Sequence, residues 1–236
     1  MSEIEWTDET WNPATGCTKV SPGCRNCYAE QVAAKLKKWG QKKYENGFEY
    51  TEHEDYVEQP LHWAKPRKIF VNSMSDLFHE DATIDFLNKV FYVMEQANWH
   101  QYQILTKRPE RMLSFFETKF CPSHIWLGTS IEGMAQIHRL ETLKKIDAPI
   151  KFVSFEPLLG EIDNIDLKGI QWAIVGGESG PRFRDVIKKE WVIKLRDICK
   201  RDGVAFFFKQ WGGKKPKSKG NLLDGKIYQE YPGGNM

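Results

Sequence analysis

The chain has 236 residues, with 34 Lys and Arg against 32 Asp and Glu and an aromatic content of 13%. That length is enough for one full-sized hydrophobic core, and the aromatic content excludes a disordered chain. A net charge of +2 leaves nucleic acid only a local patch to bind. No uncharged apolar run is long enough to span a membrane. The start MSEIEWTDETWNP has neither the basic residues nor the apolar stretch of a secretory signal, so the expected location is the cytoplasm.

The first informative segment is Gly16-Cys17-Thr-Lys-Val-Ser-Pro-Gly-Cys24-Arg-Asn-Cys27-Tyr28, which carries three of the five cysteines at C-x6-C-x2-C spacing. Pro22 and Gly23 let the backbone turn sharply between them. In a reducing compartment clustered thiols read as metal or redox ligands rather than a disulfide frame. Structural zinc wants four closed ligands, and only one close Cys pair is present. Three thiolates suit an iron–sulfur cluster with one iron left open. The residues alone leave both readings standing, the cluster being the stronger. Residues 40–66 follow as an irregular insert rich in Lys, Glu, Tyr and His, read as a solvated excursion or a lid.

From residue 68 onward short apolar runs alternate with amphipathic stretches. The runs are Lys68–Val71, Gln101–Leu105, His124–Leu127, Ile150–Val153, Gln171–Val175 and Val204–Phe208. Each is apolar on both faces, as buried parallel strands are. Helical spacing marks Ile84, Leu87, Phe91 and Met94, then Ile137, Leu140 and Leu143, then Trp191, Leu195 and Ile198, with Gly203 as a terminating residue. Six strands in strict alternation with helical crossovers predict an α/β fold with a parallel sheet. The pattern alone leaves closed and open forms equally possible.

Polar groups stand at the carboxyl end of every run, where parallel βα folds build their sites. Ser73, Ser75 and Asp76 follow the first run, Lys107 and Arg108 the second, Ser130 and Glu132 the third. Glu156, Glu178, and Lys209 with Trp211 complete the series. Cys199 has the spacing of a packed core thiol, and Cys121 sits before Pro122 in a loop. Residues 214–236 form a basic tail with Lys214, Lys215, Lys217 and Lys219 and the composition of a flexible segment.

The stretches Trp6–Pro13, Phe70–His79, Leu105–Pro109, Phe155–Leu159, Val175–Gly180 and Phe208–Gly212 resemble a bacteriophage- and prophage-associated family of radical-S-adenosylmethionine-like proteins, similar to the spore photoproduct lyase branch. The resemblance implies a partial TIM-like (β/α)6 barrel of mostly parallel strands over residues 1–213. It implies a [4Fe–4S] cluster on Cys17, Cys24 and Cys27, with S-adenosylmethionine on the open iron. Reductive cleavage to a 5′-deoxyadenosyl radical would then act on a substrate that the branch suggests is a nucleotide or nucleic acid. An electron donor and a partner protein encoded nearby are further implications. On this reading Tyr28, Ser73, Ser75, Asp76, Lys107, Ser130 and Glu132 face S-adenosylmethionine. Arg108, Glu156, Glu178, Lys209 and Trp211 face substrate. The chain departs from the usual C-x3-C-x2-C spacing, and Asn26 stands where an aromatic residue usually precedes the last cysteine. Two other classes stay open: a metal-stabilised binding module without catalysis, and a hydrolytic or phosphate-transferring barrel using Asp76, Glu156 and Glu178 with a divalent ion.

Overall fold

The protein's structure is a computed structural model that describes residues 4–233. Residues 1–3 of the expected barrel domain and 234–236 of the expected tail lie outside the described residues. The strands are β1 (Glu9–Trp11), β2 (Ala14–Thr15), β3 (Thr51–Glu52), β4 (Lys68–Val71), β5 (Gln101–Thr106), β6 (Ile125–Ser130), β7 (Lys151–Phe155), β8 (Trp172–Gly176) and β9 (Ala205–Gln210). The helices are α1 (Tyr28–Lys38), α2 (Ile84–Gln96), α3 (Pro109–Phe116), α4 (His138–Lys144) and α5 (Lys189–Asp202). Among the described residues seven strands pair in parallel in the order β1-β4-β5-β6-β7-β8-β9 and curl into a half-barrel whose edge strands, β1 and β9, are not paired with each other.

Period-two alternation divides the sheet's side chains between two cores. Ile69, Val71, Tyr102, Ile104, Leu127, Val153, Ala173 and Phe206 face the helices. Their neighbours Phe70, Trp126, Phe152, Trp172, Ile174 and Phe207 form a concave aromatic floor, joined by Trp6 of the N-terminal segment. Gly128 lets the Phe152 ring lie flat, since a Cβ there would stand 2.5 Å from it. Polar strand-end residues begin above this floor. α2 starts where the Thr83 side chain accepts from Phe86 N–H at 3.1 Å, a cap of about 1 kcal/mol. α5 ends on left-handed Gly203, as its position in the sequence implies.

Four expectations change. The sheet has seven strands rather than six: Glu9–Trp11 is too short and polar to stand out by pattern, yet it pairs with β4 as an edge. The alternation is not strict, because residues 156–171 join β7 to β8 without a helix. That link instead buries Leu158, Ile162, Ile165, Leu167 and Ile170 against the core. The 40–66 insert is no solvated excursion. Its β3 pairs antiparallel with β2, and Tyr50, Val57, Leu61 and Trp63 pack on the core. The tail is anchored as well. Leu223 is buried, Gln229 bridges to Phe207, and Tyr231 stacks on Trp172 at 5.3 Å.

Candidate functional site

The cysteine segment leaves β2 at Gly16 and crosses the carboxyl ends of the strands before α1 starts at Tyr28. Gly16 is fixed on three sides. Its N–H donates to Met74 O at 3.0 Å, its carbonyl accepts from Ser75 Oγ at 2.6 Å, and the next N–H, of Cys17, donates to Phe48 O at 3.1 Å. Only glycine fits there: φ is +80°, and a Cβ would meet Glu49 O at 2.0 Å. The insert therefore forms one wall of the cysteine loop.

Charged groups from the strand ends grip the loop at further points. Arg108 donates from Nε to Glu80 at 2.6 Å, from Nη1 to Asp76 at 3.1 Å, and from Nη2 to Thr18 Oγ1 at 2.7 Å. Its Nη1 also lies 3.7 Å from Cys17 Sγ. Buried Asp76 accepts from Phe78 N–H, Thr106 Oγ1, Lys107 N–H and Arg108. Four donors fill the acceptor capacity of a carboxylate, so Asp76 organises the site and has no lone pair left for an ammonium. Glu132, almost fully buried, accepts from Ser21 Oγ at 2.6 Å and Arg139 at 3.2 Å. Gly23 rests directly on that carboxylate, where a Cβ would come within 2.5 Å of Oε1. Glu178 accepts from Asn26 Nδ2 at 3.2 Å and from Arg184 Nε at 2.9 Å, while Arg184 Nη2 donates to Pro22 O at 3.0 Å.

Several residues expected to touch ligand thus hold the loop instead. Ser75, Asp76, Arg108, Glu132 and Glu178 are committed to it, and Ser73 donates to Asn12 Oδ1 at 3.1 Å. The Tyr28 hydroxyl donates to Ser73 O, leaving its ring exposed. Trp211 donates to Leu222 O at 2.9 Å and packs edge-on against Phe208 on the helix-side core. The remaining candidates lie above the aromatic floor. Lys107 Nζ stands 3.9 Å from Glu132, Ser130 is buried at the tip of β6, and Lys209 Nζ pairs with Glu156 at 3.2 Å. Gly176 makes room for Glu156, whose Oε1 would otherwise lie 2.2 Å from a Cβ.

Sequence reasoning missed Thr18, Ser21, Glu80, Arg139 and Arg184, which act only through partners distant in the chain. No local signal marks them. His79, next to Glu80, is fully buried; it accepts from Thr18 N–H at 3.1 Å and stacks on Tyr50. Burial, reinforced by Arg108, holds its pKa below the ordinary histidine value.

Burial, with Asp76 adding to it, pushes the Cys17 thiol up to about 11, against the pull of Arg108. Ionising it therefore calls for more positive charge than Arg108 provides. Cys24 and Cys27 are half-buried on the same loop, whereas Cys121 and Cys199 are sealed in the core. Among the described residues no three His, Cys, Asp or Glu side chains gather closely enough to hold a single metal ion. A cubane makes a different demand, because each thiolate takes a separate corner iron.

A family model described as "Protein of unknown function (DUF5131)" matches residues 1–232. The chain belongs to that family. No curated protein matches it. Its fold is similar to a cysteine-to-alanine mutant of spore photoproduct lyase with dinucleoside spore photoproduct, at TM-score 0.56 and 12% identity, covering 85% of this chain and 75% of that one. A cysteine-to-serine mutant of the lyase gives 0.56 and 12% over 87% and 76% of the two chains. A tyrosine-to-phenylalanine mutant gives 0.53 and 12% over 83% and 74%. At such identity the likeness is one of fold: this DUF5131 chain has the partial TIM-like barrel architecture that spore photoproduct lyase also has. Among the described residues no helix is long and apolar enough to cross a membrane.

Proposed function

We propose that this chain is a radical S-adenosylmethionine enzyme, with Cys17, Cys24 and Cys27 holding a [4Fe–4S] cluster. The observation that carries the reading is one loop bearing three thiols, gripped by charged residues from successive strand ends over the mouth of a half-barrel. The donor set fits: three thiols on one loop, with the other two cysteines buried elsewhere. When bound, such a cluster supplies one electron to the sulfonium of S-adenosylmethionine and so generates a carbon radical for hydrogen abstraction from substrate.

The chain's own residues have separable parts to play. Arg108 orients Cys17 and offers an N–H toward its sulfur, which favours the thiolate. Glu132 and the Glu178–Arg184 pair fix the Ser21–Asn26 turn, and with it Cys24. Lys107, Ser130, Glu156 and Lys209 present charges and a hydroxyl of both hydrogen-bonding senses, suited to a zwitterionic cofactor and a polar substrate. The floor of Trp126, Phe152 and Trp172 closes the base of the barrel to water. The lyase neighbour carries a dinucleoside, and we extend that substrate class, nucleotide or nucleic acid, to this chain. An external electron donor completes the requirement.

The test is anaerobic incubation of reconstituted protein with S-adenosylmethionine and dithionite. The expected product is 5′-deoxyadenosine from wild type and Cys199→Ala, with none from Cys17→Ala, Cys24→Ala or Cys27→Ala. Equal yield from the cysteine variants would refute the reading.

A further inference from the structure

α1 packs into the fold by little more than two alanines, Ala29 and Ala33. Its outward face mixes exposed aromatic and apolar side chains with cations. Tyr28, Val32, Lys35 and Trp39 recur at i, i+4, i+7 and i+11, a single helical stripe. Tyr28 is 51% exposed, Val32 36% and Trp39 70%. The stripe starts beside Cys27 and ends in a cluster of lysines, because Lys35, Lys37, Lys38 and Lys42 are all exposed around Trp39. None of the four has an ion-pair partner among the described residues. Lys43 differs: its Nζ donates to Asn12 O at 2.6 Å and lies over the Tyr56 ring, and burial lowers its pKa to about 8.

A bland reading exists for the lysines, since cations in a last helical turn complement the helix dipole. It explains Lys35, Lys37 and Lys38 but neither Lys42, beyond the helix, nor a tryptophan left in water. Exposed tryptophan amid unpaired cations matches how proteins hold single strands: phosphates meet the charges, and a base stacks on the ring.

We propose that the outer face of α1, from Val32 to Lys42, is a docking surface for single-stranded nucleic acid, with Trp39 as its stacking platform. The surface begins at Val32, more than one turn of α1 beyond Cys27, and includes no cysteine.

The test is fluorescence anisotropy of fluorescein-labelled oligothymidylate, about 12 nucleotides long, a length within the range such surfaces occupy. It is run over a salt series with heparin as a polyanion lacking bases. The substituted side chains are exposed, so circular dichroism should match wild type. Wild type is expected to bind with salt-dependent affinity. Trp39→Ala should weaken oligothymidylate binding roughly tenfold and leave heparin binding unchanged, while Trp39→Phe recovers part of the loss. The triple variant Lys35→Glu, Lys38→Glu, Lys42→Glu should lower the log–log salt slope by about 2. The Cys17→Ala, Cys24→Ala, Cys27→Ala chain should bind oligothymidylate as wild type does, which separates this inference from the proposed chemistry. Absence of oligothymidylate binding, or equal binding by Trp39→Ala, overturns the proposal. Heparin binding without oligothymidylate binding overturns it in favour of an acidic protein partner.

Discussion

Replacing Gly16 by Ala should loosen the cysteine loop more than any other single-methyl change at its edge. The added Cβ would lie 2.0 Å from Glu49 O, 2.3 Å from Glu49 C and 2.8 Å from Phe48 O. These are backbone atoms, so no side chain can swing aside. The left-handed φ of +80° costs a non-glycine residue roughly 1–2 kcal/mol. Forcing β2 away from the insert adds about 1–3 kcal/mol. The sum, on the order of 2–5 kcal/mol, corresponds to a fall in Tm of roughly 4–20 °C for a chain of this size. Gly40→Ala is the control, because Gly40 shares a positive φ of +70° but has open space where the Cβ would go. It should lose only the conformational share, roughly 2–8 °C. Paired thermal melts read the difference, and iron loading should fall for Gly16→Ala alone. Equal Tm losses for the two variants would refute the claim that the insert clamps the loop.

Arg108→Ala removes one of four donors to buried Asp76 and the N–H beside Cys17. It should cost roughly 2–3 kcal/mol in urea unfolding, and Arg108→Lys should recover little, since one ammonium cannot span Asp76, Glu80 and Thr18. A stability loss under 0.5 kcal/mol, the range of ordinary surface changes, would contradict that role. Alkaline stability gives a second check. Burial pushes the Cys121 and Cys199 thiols from the ordinary 9.0 up to about 12. The folded chain then keeps protons that the unfolded chain releases, so stability is full below about pH 9 and falls as pH rises toward 12. Cys121→Ala and Cys199→Ala should each flatten that decline in urea midpoints between pH 8 and 10.5, whatever their cost at pH 8; an unchanged slope would argue against burial of the thiols. Tyr231→Ala should lose roughly 1–2 kcal/mol through its contacts with Trp172 and Phe207; no loss would mean the tail does not support the aromatic floor.

Much of the barrel was legible because burial on both faces leaves a plain record. Runs such as Gln171–Val175 and Val204–Phe208 fall within one or two residues of β8 and β9. Glu9–Trp11 was not legible: an edge strand needs no apolar run, and this one is identified only by its partner β4. The link from β7 to β8 hid its role for a related reason, since its buried leucines and isoleucines follow neither helical nor strand period. At the candidate site the sequence located a polar rim, as Lys107, Glu132, Glu156 and Lys209 all stand at strand ends. It could not apportion their tasks. Whether Arg108 meets a ligand or a thiol depends on where Thr18 and Glu80 come to rest, some 90 and 28 residues away along the chain. Such long-range pairings leave no local spacing to read.

The most direct test of the central claim is the iron and acid-labile sulfide content of protein purified without oxygen. Three thiols on a gripped loop should yield a brown chain with about four irons and four sulfides, a content lost when Cys17, Cys24 or Cys27 becomes Ala. A colourless chain carrying a single zinc, or iron retained after those substitutions, would contradict the account.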